Sequence, residues 1–333
     1  MANVIIGIHG LGNKPPAALL EKWWILAMKE GLKNGNYKRY MPFFELVYWS
    51  DIIHPQPLDP QIKDRDNKLF IEEPYTEAPE VFPAEDYSIR KKIVDYLGRQ
   101  MNRIFLNEDL SLNYSFISDA IINRYFRDLE VYYSDCMMTA NGKECSISEM
   151  IRERLASKLR AHRNDNIMLI GHSMGSIIAF DVLSYIVPEI KISTFITIGS
   201  PLGLPVVISK IAAEHYRRAG LKKPVRTPPG ITGNWYNFSD ILDKVAFNYR
   251  ISEQFPENEH GVKPVDLLVT NKYIYNGERN PHKSFGYLRT PEFSRVLNEF
   301  TEAEKTGPGK RILHRMKESF RNIRSRISPD EKV

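Results

Sequence analysis

The sequence predicts an α/β fold in which a mostly parallel sheet is flanked by helices and interrupted by a largely helical insertion. Short apolar runs of strand length alternate with longer segments of helical periodicity. The first run, 4–8, leads through a glycine loop and a helix opened by Pro15 and Pro16 to a second run, 43–49. This βαβ unit predicts parallel pairing with a right-handed crossover. Between 50 and 147 the alternation stops, which indicates an insertion.

The insertion, placed at 51–145, has two parts of different character. Prolines and charges are dense between 59 and 86, which indicates an irregular chain. Two helical patterns follow, at 89–105 and 116–132. We interpret the block as a cap, because a structureless loop of this length would be unusual in a compact domain.

Beyond the insertion the alternation of strands and helices resumes. Ser146 and Glu149 have the spacing of a capping box and predict a helix from Met150 to His162. A strand is predicted at 167–170, followed by a helix at 176–187. Three strands are predicted at 192–198, 234–238 and 265–270, and a closing helix at 291–302.

Composition limits the functional classes. The chain is 42% apolar, as expected of a globular protein, and no apolar run reaches the length of a membrane-spanning helix. The N-terminus shows no basic leader or cleavage site, and a strand begins almost at once. Cys136 and Cys145 are the only cysteines, so we expect reduced thiols and a cytoplasmic location.

The net charge of +5 comes from one end of the chain. Residues 303–333 hold nine Lys or Arg against four acids, so residues 1–302 are neutral, and nucleic-acid binding is not expected. Within this tail, 310–327 has a narrow apolar stripe on an otherwise basic helical pattern. Such a pattern suits peripheral contact with an anionic membrane; the competing interpretation is a docked helix or a solvated tail.

The stretch 166–180 contains the strongest functional signal. A buried-strand pattern runs into Gly171, His172, Ser173, Met174 and Gly175, and a helical pattern follows. A G-x-S-x-G pentapeptide in this context predicts a nucleophile elbow. The two glycines are needed because a Cβ at either position would crowd the turn. We therefore expect the hydroxyl of Ser173 to be held at the carboxyl end of a strand.

A serine hydroxyl needs a base, and the base needs an acid that holds its tautomer. In this type of fold the acid and then the histidine follow the serine in the chain. Asp240 and Asp243 both come just after the 234–238 strand, and Asp266 is a more distant candidate. We favour Asp243, which precedes an apolar segment, and keep Asp240 as the alternative, since it could instead cap its own turn.

Three histidines follow these acids: His260, His282 and His314. His314 lies in the basic tail, and His260 precedes the last predicted strand. His282 lies between that strand and the closing helix, which is where the base is required. It is the predicted base.

The first loop, His9-Gly10-Leu11-Gly12, is the predicted partner of the elbow in binding an oxyanion. The expected donors are the backbone N–H groups of Leu11 and Met174. His9 is expected to orient its loop, and His172 to be structural. No His, Cys or acidic spacing resembles a metal site.

Together the His9-Gly10-Leu11-Gly12 loop, the elbow, Asp243 and His282 resemble an α/β-hydrolase of the lipase and esterase type. The resemblance implies hydrolysis of carboxylic esters, lipid esters among them, through an acyl-enzyme without metal or organic cofactor. It covers roughly 3–50 and 146–302 and implies a hydrolase domain, 1–302, with its core at 1–50 and 146–302, followed by the tail at 303–333.

Two other classes of function share these features. An acyltransferase or thioesterase would use the same three residues with a different acceptor or substrate. A non-catalytic binding module of the same fold is the third hypothesis, although such modules commonly lose one of the three residues.

Overall fold

The computed structural model describes residues 1–38, 40–80, 129, 132–133, 137–140, 143–220 and 225–302. The predicted helix at 89–105, Cys136 and the tail at 303–333 lie outside these residues. The predicted helix at 116–132 is described only at Leu129 and Tyr132, both of which are helical.

The predicted mostly parallel sheet is confirmed. Its six strands are all paired in parallel, in the spatial order β2-β1-β5-β6-β7-β8. They are β1 (Asn3–Ile8), β2 (Phe43–Val47), β5 (Asn166–His172), β6 (Ile192–Ile198), β7 (Ile231–Ser239) and β8 (Pro264–Leu268). Two antiparallel pairs lie apart from it: β3 (Met137–Ala140) with β4 (Lys143–Ser146), and β9 (Ile274–Tyr275) with β10 (Glu278–Arg279).

The described helices are α1 (Ala17–Asn34), α2 (Ser50–Ile53), α3 (Ile147–Ala161), α4 (Met174–Asp181), α5 (Pro205–Ala219), α6 (Ser284–Leu288) and α7 (Pro291–Glu302). A π-helical turn, Val182–Ile186, continues α4, and a 3-10 turn occupies Ile251–Glu253. None of the described helices combines the length and the apolar character that a membrane crossing needs.

Both faces of the sheet are buried, which explains why its strands are nearly continuous apolar runs. On β1, Val4 and Ile6 face a core formed with α3, α4 and α5. Ile5, between them, faces the other core, where Trp24 of α1 and Phe293 of α7 pack. The side chains alternate between the two cores because strand residues point to opposite faces in turn.

The predicted capping box is wrong. The helix begins at Ile147, three residues before the predicted start, and no side-chain hydrogen bond caps its first turn. The Ser146 hydroxyl pairs instead with the Ser148 hydroxyl at 2.7 Å, and the Glu149 carboxylate accepts from Arg218 of α5. A neighbouring serine and a distant arginine have thus replaced the reciprocal bonds that define the motif.

A helix was also missed, and another was misplaced. The sequence analysis predicts no helix at 205–219. In the structure, α5 begins at Pro205 and ends before Gly220, which has a φ of +63°. Proline at the first position and glycine just past the end are ordinary helix signals. The helix after the elbow begins at Met174 rather than at 176, directly after the serine.

Two described parts of the predicted insertion pack against the rest of the fold. Residues 54–80 contain turns but no helix or strand, as their prolines indicate, and the Glu30 carboxylate of α1 accepts from Tyr75 Oη at 2.9 Å and Ala78 N at 2.7 Å. Further along, the hydroxyls of Tyr132 and Tyr133 both donate to Asp181 Oδ2 at 3.1 Å. Both parts are thus held by buried or half-buried carboxylates.

Candidate active site

Ser173 lies at the sharp junction between β5 and α4. Its φ of 53° and ψ of −123° are unusual for a residue with a side chain, and such backbone strain is a feature of functional sites. The flanking glycines leave no room for a Cβ: at Gly171 it would lie 2.7 Å from the Cα of Ser176, and at Gly175 it would lie 2.4 Å from the carbonyl oxygen of Ile8. The turn is therefore closed against its own helix and against β1.

The imidazole of His282 connects Ser173 to Asp243. His282 Nε2 lies 3.0 Å from Ser173 Oγ, and His282 Nδ1 lies 2.9 Å from Asp243 Oδ2. Because a carboxylate only accepts, Nδ1 carries the proton that is donated to Asp243, which leaves Nε2 free to accept the serine proton. The structure thus brings the predicted nucleophile, base and favoured acid together.

Asp243 is buried, and four donors surround its carboxylate. Besides His282, the backbone N–H groups of Val245 (2.9 Å) and Ala246 (3.3 Å) donate to Oδ1, and the Tyr287 hydroxyl donates to Oδ2 at 2.7 Å. Burial, and then the charge of Asp243, raises the pKa of Tyr287 well above its usual value, so Tyr287 remains a donor. Sequence reasoning missed Tyr287, which lies on α6 only five residues after His282.

The alternative acids have other partners. Asp240 Oδ2 accepts from Asn271 N at 2.6 Å and from the Arg279 guanidinium at 2.7 Å, while its Oδ1 accepts from Leu242 N at 2.8 Å. Burial raises the pKa of Asp240 despite these donors. Asp266 accepts from Asn237 and from the backbone at Ile251 and Ser252. Among the described histidines, His260 is exposed in a loop.

The first loop is shaped by His9, which is 1% exposed. The Trp49 backbone N–H donates to His9 Nε2 at 3.0 Å, so the ring proton must lie on Nδ1, which donates to the Gly10 carbonyl at 2.8 Å. Since the peptide is planar and trans, fixing the Gly10 carbonyl also fixes the Leu11 N–H, which points the opposite way. Burial, and then the nearby Lys14 charge, lowers the pKa of His9 to about 3, so the ring is neutral.

Gly10 and Gly12 allow this loop to approach the serine. A Cβ at Gly10 would lie 2.8 Å from the Cβ of Ser173, and Gly12 has a φ of +79°, which favours glycine. On the other side of the serine, the Met174 N–H is the first of α4, where the helix itself offers no acceptor. The predicted oxyanion donors, Leu11 and Met174, therefore belong to the two segments next to Ser173, which are the first loop and the start of α4.

His172 contacts the loop 280–283, which carries His282 and is called the histidine loop below. Its Nε2–H donates to the backbone carbonyl of His282 at 2.8 Å, and the two rings lie 5.0 Å apart. Burial, and then the proximity of His282, lowers the pKa of His172 well below its usual value. His172 is therefore a neutral donor that holds the base in place.

A cavity of about 510 Å³ opens onto Ser173 and His282. Its apolar lining residues include Trp23, Phe70 and Phe285. The polar lining residues include Asn13, Lys14, Glu73, Asn280 and Lys283. Segment 58–73 of the predicted insertion thus forms part of the cavity wall.

Glu73 ties that wall to the histidine loop, and sequence reasoning did not find it. Its carboxylate accepts from Asn280 Nδ2 at 2.8 Å and from Lys283 Nζ at 3.0 Å. The Lys283 charge, with hydrogen bonds from both residues, outweighs burial and lowers the pKa of Glu73. Within the described ranges, no group of three or more His, Cys, Asp or Glu is arranged to hold a metal ion.

One family resembles part of this chain. The sequence model of the family described as "PGAP1-like alpha/beta domain" matches residues 122–220, less than a third of the chain. The matched segment includes β5, Ser173 and α4 and ends before Asp243 and His282. Taken with the sheet, this similarity supports an α/β-hydrolase-type fold of the serine hydrolase superfamily. A comparison with curated proteins gives no match.

Proposed function

We propose that this protein is a serine hydrolase that cleaves carboxylic esters through an acyl-enzyme, with Ser173 as nucleophile, His282 as base and Asp243 as acid. One observation carries the proposal: a single imidazole lies 3.0 Å from the serine hydroxyl and 2.9 Å from a buried carboxylate. Hydrogen-bonded distances of this kind are those that proton transfer requires.

In the first half of the reaction, His282 Nε2 takes the proton of Ser173 while Oγ attacks the carbonyl carbon of the ester. The tetrahedral oxyanion is bound by the N–H groups of Leu11 and Met174. His282 then gives its proton to the departing alcohol oxygen, and the bond between the carbonyl carbon and that oxygen breaks. The acyl group remains on Ser173.

In the second half, water enters and His282 accepts one of its protons while the hydroxyl adds to the acyl carbon. Collapse of this intermediate returns the proton to Ser173 Oγ and releases the carboxylic acid. Asp243 remains ionised throughout, holding the Nδ1–H tautomer and stabilising the imidazolium that forms twice per cycle.

The cavity supports an ester with an apolar acyl group, lipid esters included. Among its lining residues, Trp23, Phe70 and Phe285 offer aromatic surface for a hydrocarbon chain, and Asn13 and Asn280 offer polar groups for the alcohol part. Transfer of the acyl group to an alcohol or thiol instead of water would need only a different acceptor in the second half. Products formed with water, alcohols and thioesters offered side by side distinguish these reactions.

A fluorophosphonate probe tests the proposal directly, because it phosphonylates only an activated serine. We expect labelling of the wild type at Ser173, its loss in Ser173→Ala and His282→Ala, and its retention in His260→Ala, the matched exposed histidine. A series of p-nitrophenyl esters of increasing chain length then reads the acyl preference. A folded wild type that is neither labelled nor active would refute hydrolysis and favour the binding module.

A further inference from the structure

One buried asparagine holds the backbone on both sides of the proposed base. Asn271 is 0% exposed, and its Nδ2 donates to the carbonyl of Pro281 at 2.9 Å and to that of Lys283 at 2.8 Å. An amide group has two N–H donors, and here each one binds a neighbour of His282. The carbonyl of His282 itself is bound by His172, so three successive carbonyls are held by side chains.

The position of Asn271 is itself enforced. Its backbone N–H donates to Asp240 Oδ2 at 2.6 Å, and its carbonyl accepts from Arg279 Nε at 3.1 Å. Arg279 also forms an ion pair with Asp240 at 2.7 Å, so Asn271, Asp240 and Arg279 form a closed hydrogen-bonded cluster. Gly286 of α6 leaves the necessary space, since a Cβ there would lie 1.6 Å from Asn271 Oδ1.

The same cluster is connected by hydrogen bonds to the proposed acid, Asp243. The backbone N–H of Asp240 donates to the Tyr287 hydroxyl at 2.9 Å, and that hydroxyl donates to Asp243 at 2.7 Å. Asp240 therefore links the loop that carries the base to the side chain that fixes the acid. This gives a use for the carboxylate that does not contact His282.

We propose that Asn271, held by Asp240 and Arg279, is a positioning residue that sets the location of His282 between Ser173 and Asp243. The inference rests on the proposed ester hydrolysis and adds to it a residue that touches neither substrate nor the reacting atoms. Displacing a catalytic group by about 1 Å costs on the order of 100-fold in rate, so the loop geometry matters for kcat.

The chain contains a matched control far from this loop. Asn258 is buried, and its Nδ2 also donates to two carbonyls, those of Pro228 at 2.9 Å and Ile231 at 2.8 Å. Its Oδ1 accepts from backbone N–H groups, as Asn271 Oδ1 does. Replacing either asparagine by aspartate keeps the shape and exchanges the NH2 group for an oxygen, so at least one of the two carbonyls loses its donor. A purely structural role would give both variants the same behaviour.

The experiment compares wild type, Asn271→Asp and Asn258→Asp in hydrolysis of p-nitrophenyl butyrate and in proton NMR of the His282 Nδ1–H resonance. For Asn271→Asp we expect kcat to fall about 100-fold with KM unchanged, and the resonance to be lost. For Asn258→Asp we expect near-wild-type kcat and an intact resonance. If Asn271→Asp does not fold, Arg279→Gln is used, with a smaller loss of kcat in the same direction.

The outcomes separate the two proposals. Wild-type kcat in folded Asn271→Asp, or an equal loss in Asn258→Asp, would overturn the positioning role while leaving ester hydrolysis in place. A wild type without hydrolysis or fluorophosphonate labelling would overturn the proposed function. In that case the His282 Nδ1–H resonance still tests the positioning role of Asn271. Retention of the resonance in Asn271→Asp refutes this role, and its loss in Asn271→Asp but not in Asn258→Asp supports it.

Discussion

Mild acid should destabilise this protein through His9. Burial, and then the Lys14 charge, holds the pKa of His9 at about 3 in the folded chain, against 6.5 in the unfolded chain. Below pH 6.5 the unfolded chain therefore binds a proton that the folded chain does not take up until near pH 3. The free energy of unfolding consequently falls as the pH drops through this window and gains nothing above it.

The size of the effect follows from the two pKa values. Linkage for one group gives a loss of about 2 kcal/mol in the free energy of unfolding between pH 7 and pH 5. Urea denaturation at pH 7, 6 and 5 measures it. We expect His9→Gln to be less stable than wild type at pH 7, because the Trp49 N–H and the Gly10 carbonyl lose the ring that bridges them, but to lose about 2 kcal/mol less on acidification.

His260→Gln provides the matched control, since this histidine is exposed. If wild type and His9→Gln lose the same free energy between pH 7 and pH 5, then His9 is not held neutral in the fold. In that case a neutral His9 does not fix the Gly10 carbonyl, or through it the Leu11 N–H.

Two further predictions concern the acid and the tail. Tyr287→Phe removes the hydroxyl that donates to Asp243 and leaves the Asp240 N–H without its acceptor. We therefore expect kcat to fall about 10- to 100-fold with KM unchanged. Steady-state kinetics equal to those of the wild type would contradict this prediction. If 310–327 contacts an anionic membrane, deletion of 307–333 should abolish sedimentation with anionic vesicles and leave hydrolysis of soluble esters unchanged, because the basic helical pattern and its apolar stripe lie in that segment. Equal vesicle binding by the truncated chain would rule out membrane contact through the tail.

The sequence predicted the sheet and the elbow because their signals are local. Apolar runs of strand length, proline, and the two glycines around Ser173 each act on immediate neighbours, and the chain order of acid and base follows from the topology. The helix at 205–219 was missed although its signals are also local, since Pro205 and Gly220 mark its ends.

What supports the site could not be predicted in the same way. Tyr287 bonds to Asp243 across 44 positions, and Glu73 bonds to Asn280 across 207. Neither residue has an unusual local pattern, and only the folded topology brings the partners together. Ser146 shows the reverse case. Its local pattern is that of a capping box, but Ser146 pairs with the neighbouring Ser148 hydroxyl, and Glu149 pairs with the distant Arg218.

The two described ends of the predicted insertion are fastened to the body at separate points. Residues 73–78 are tied to Glu30 and to the histidine loop, and Tyr132 and Tyr133 are tied to Asp181 and Arg152. These two sets of contacts share no residue. The cavity wall at Glu73 is held by residues 73–78 themselves, through Glu30, Asn280 and Lys283, so a substitution at Asp181 or Arg152 should leave that wall and the neighbouring His282 in place.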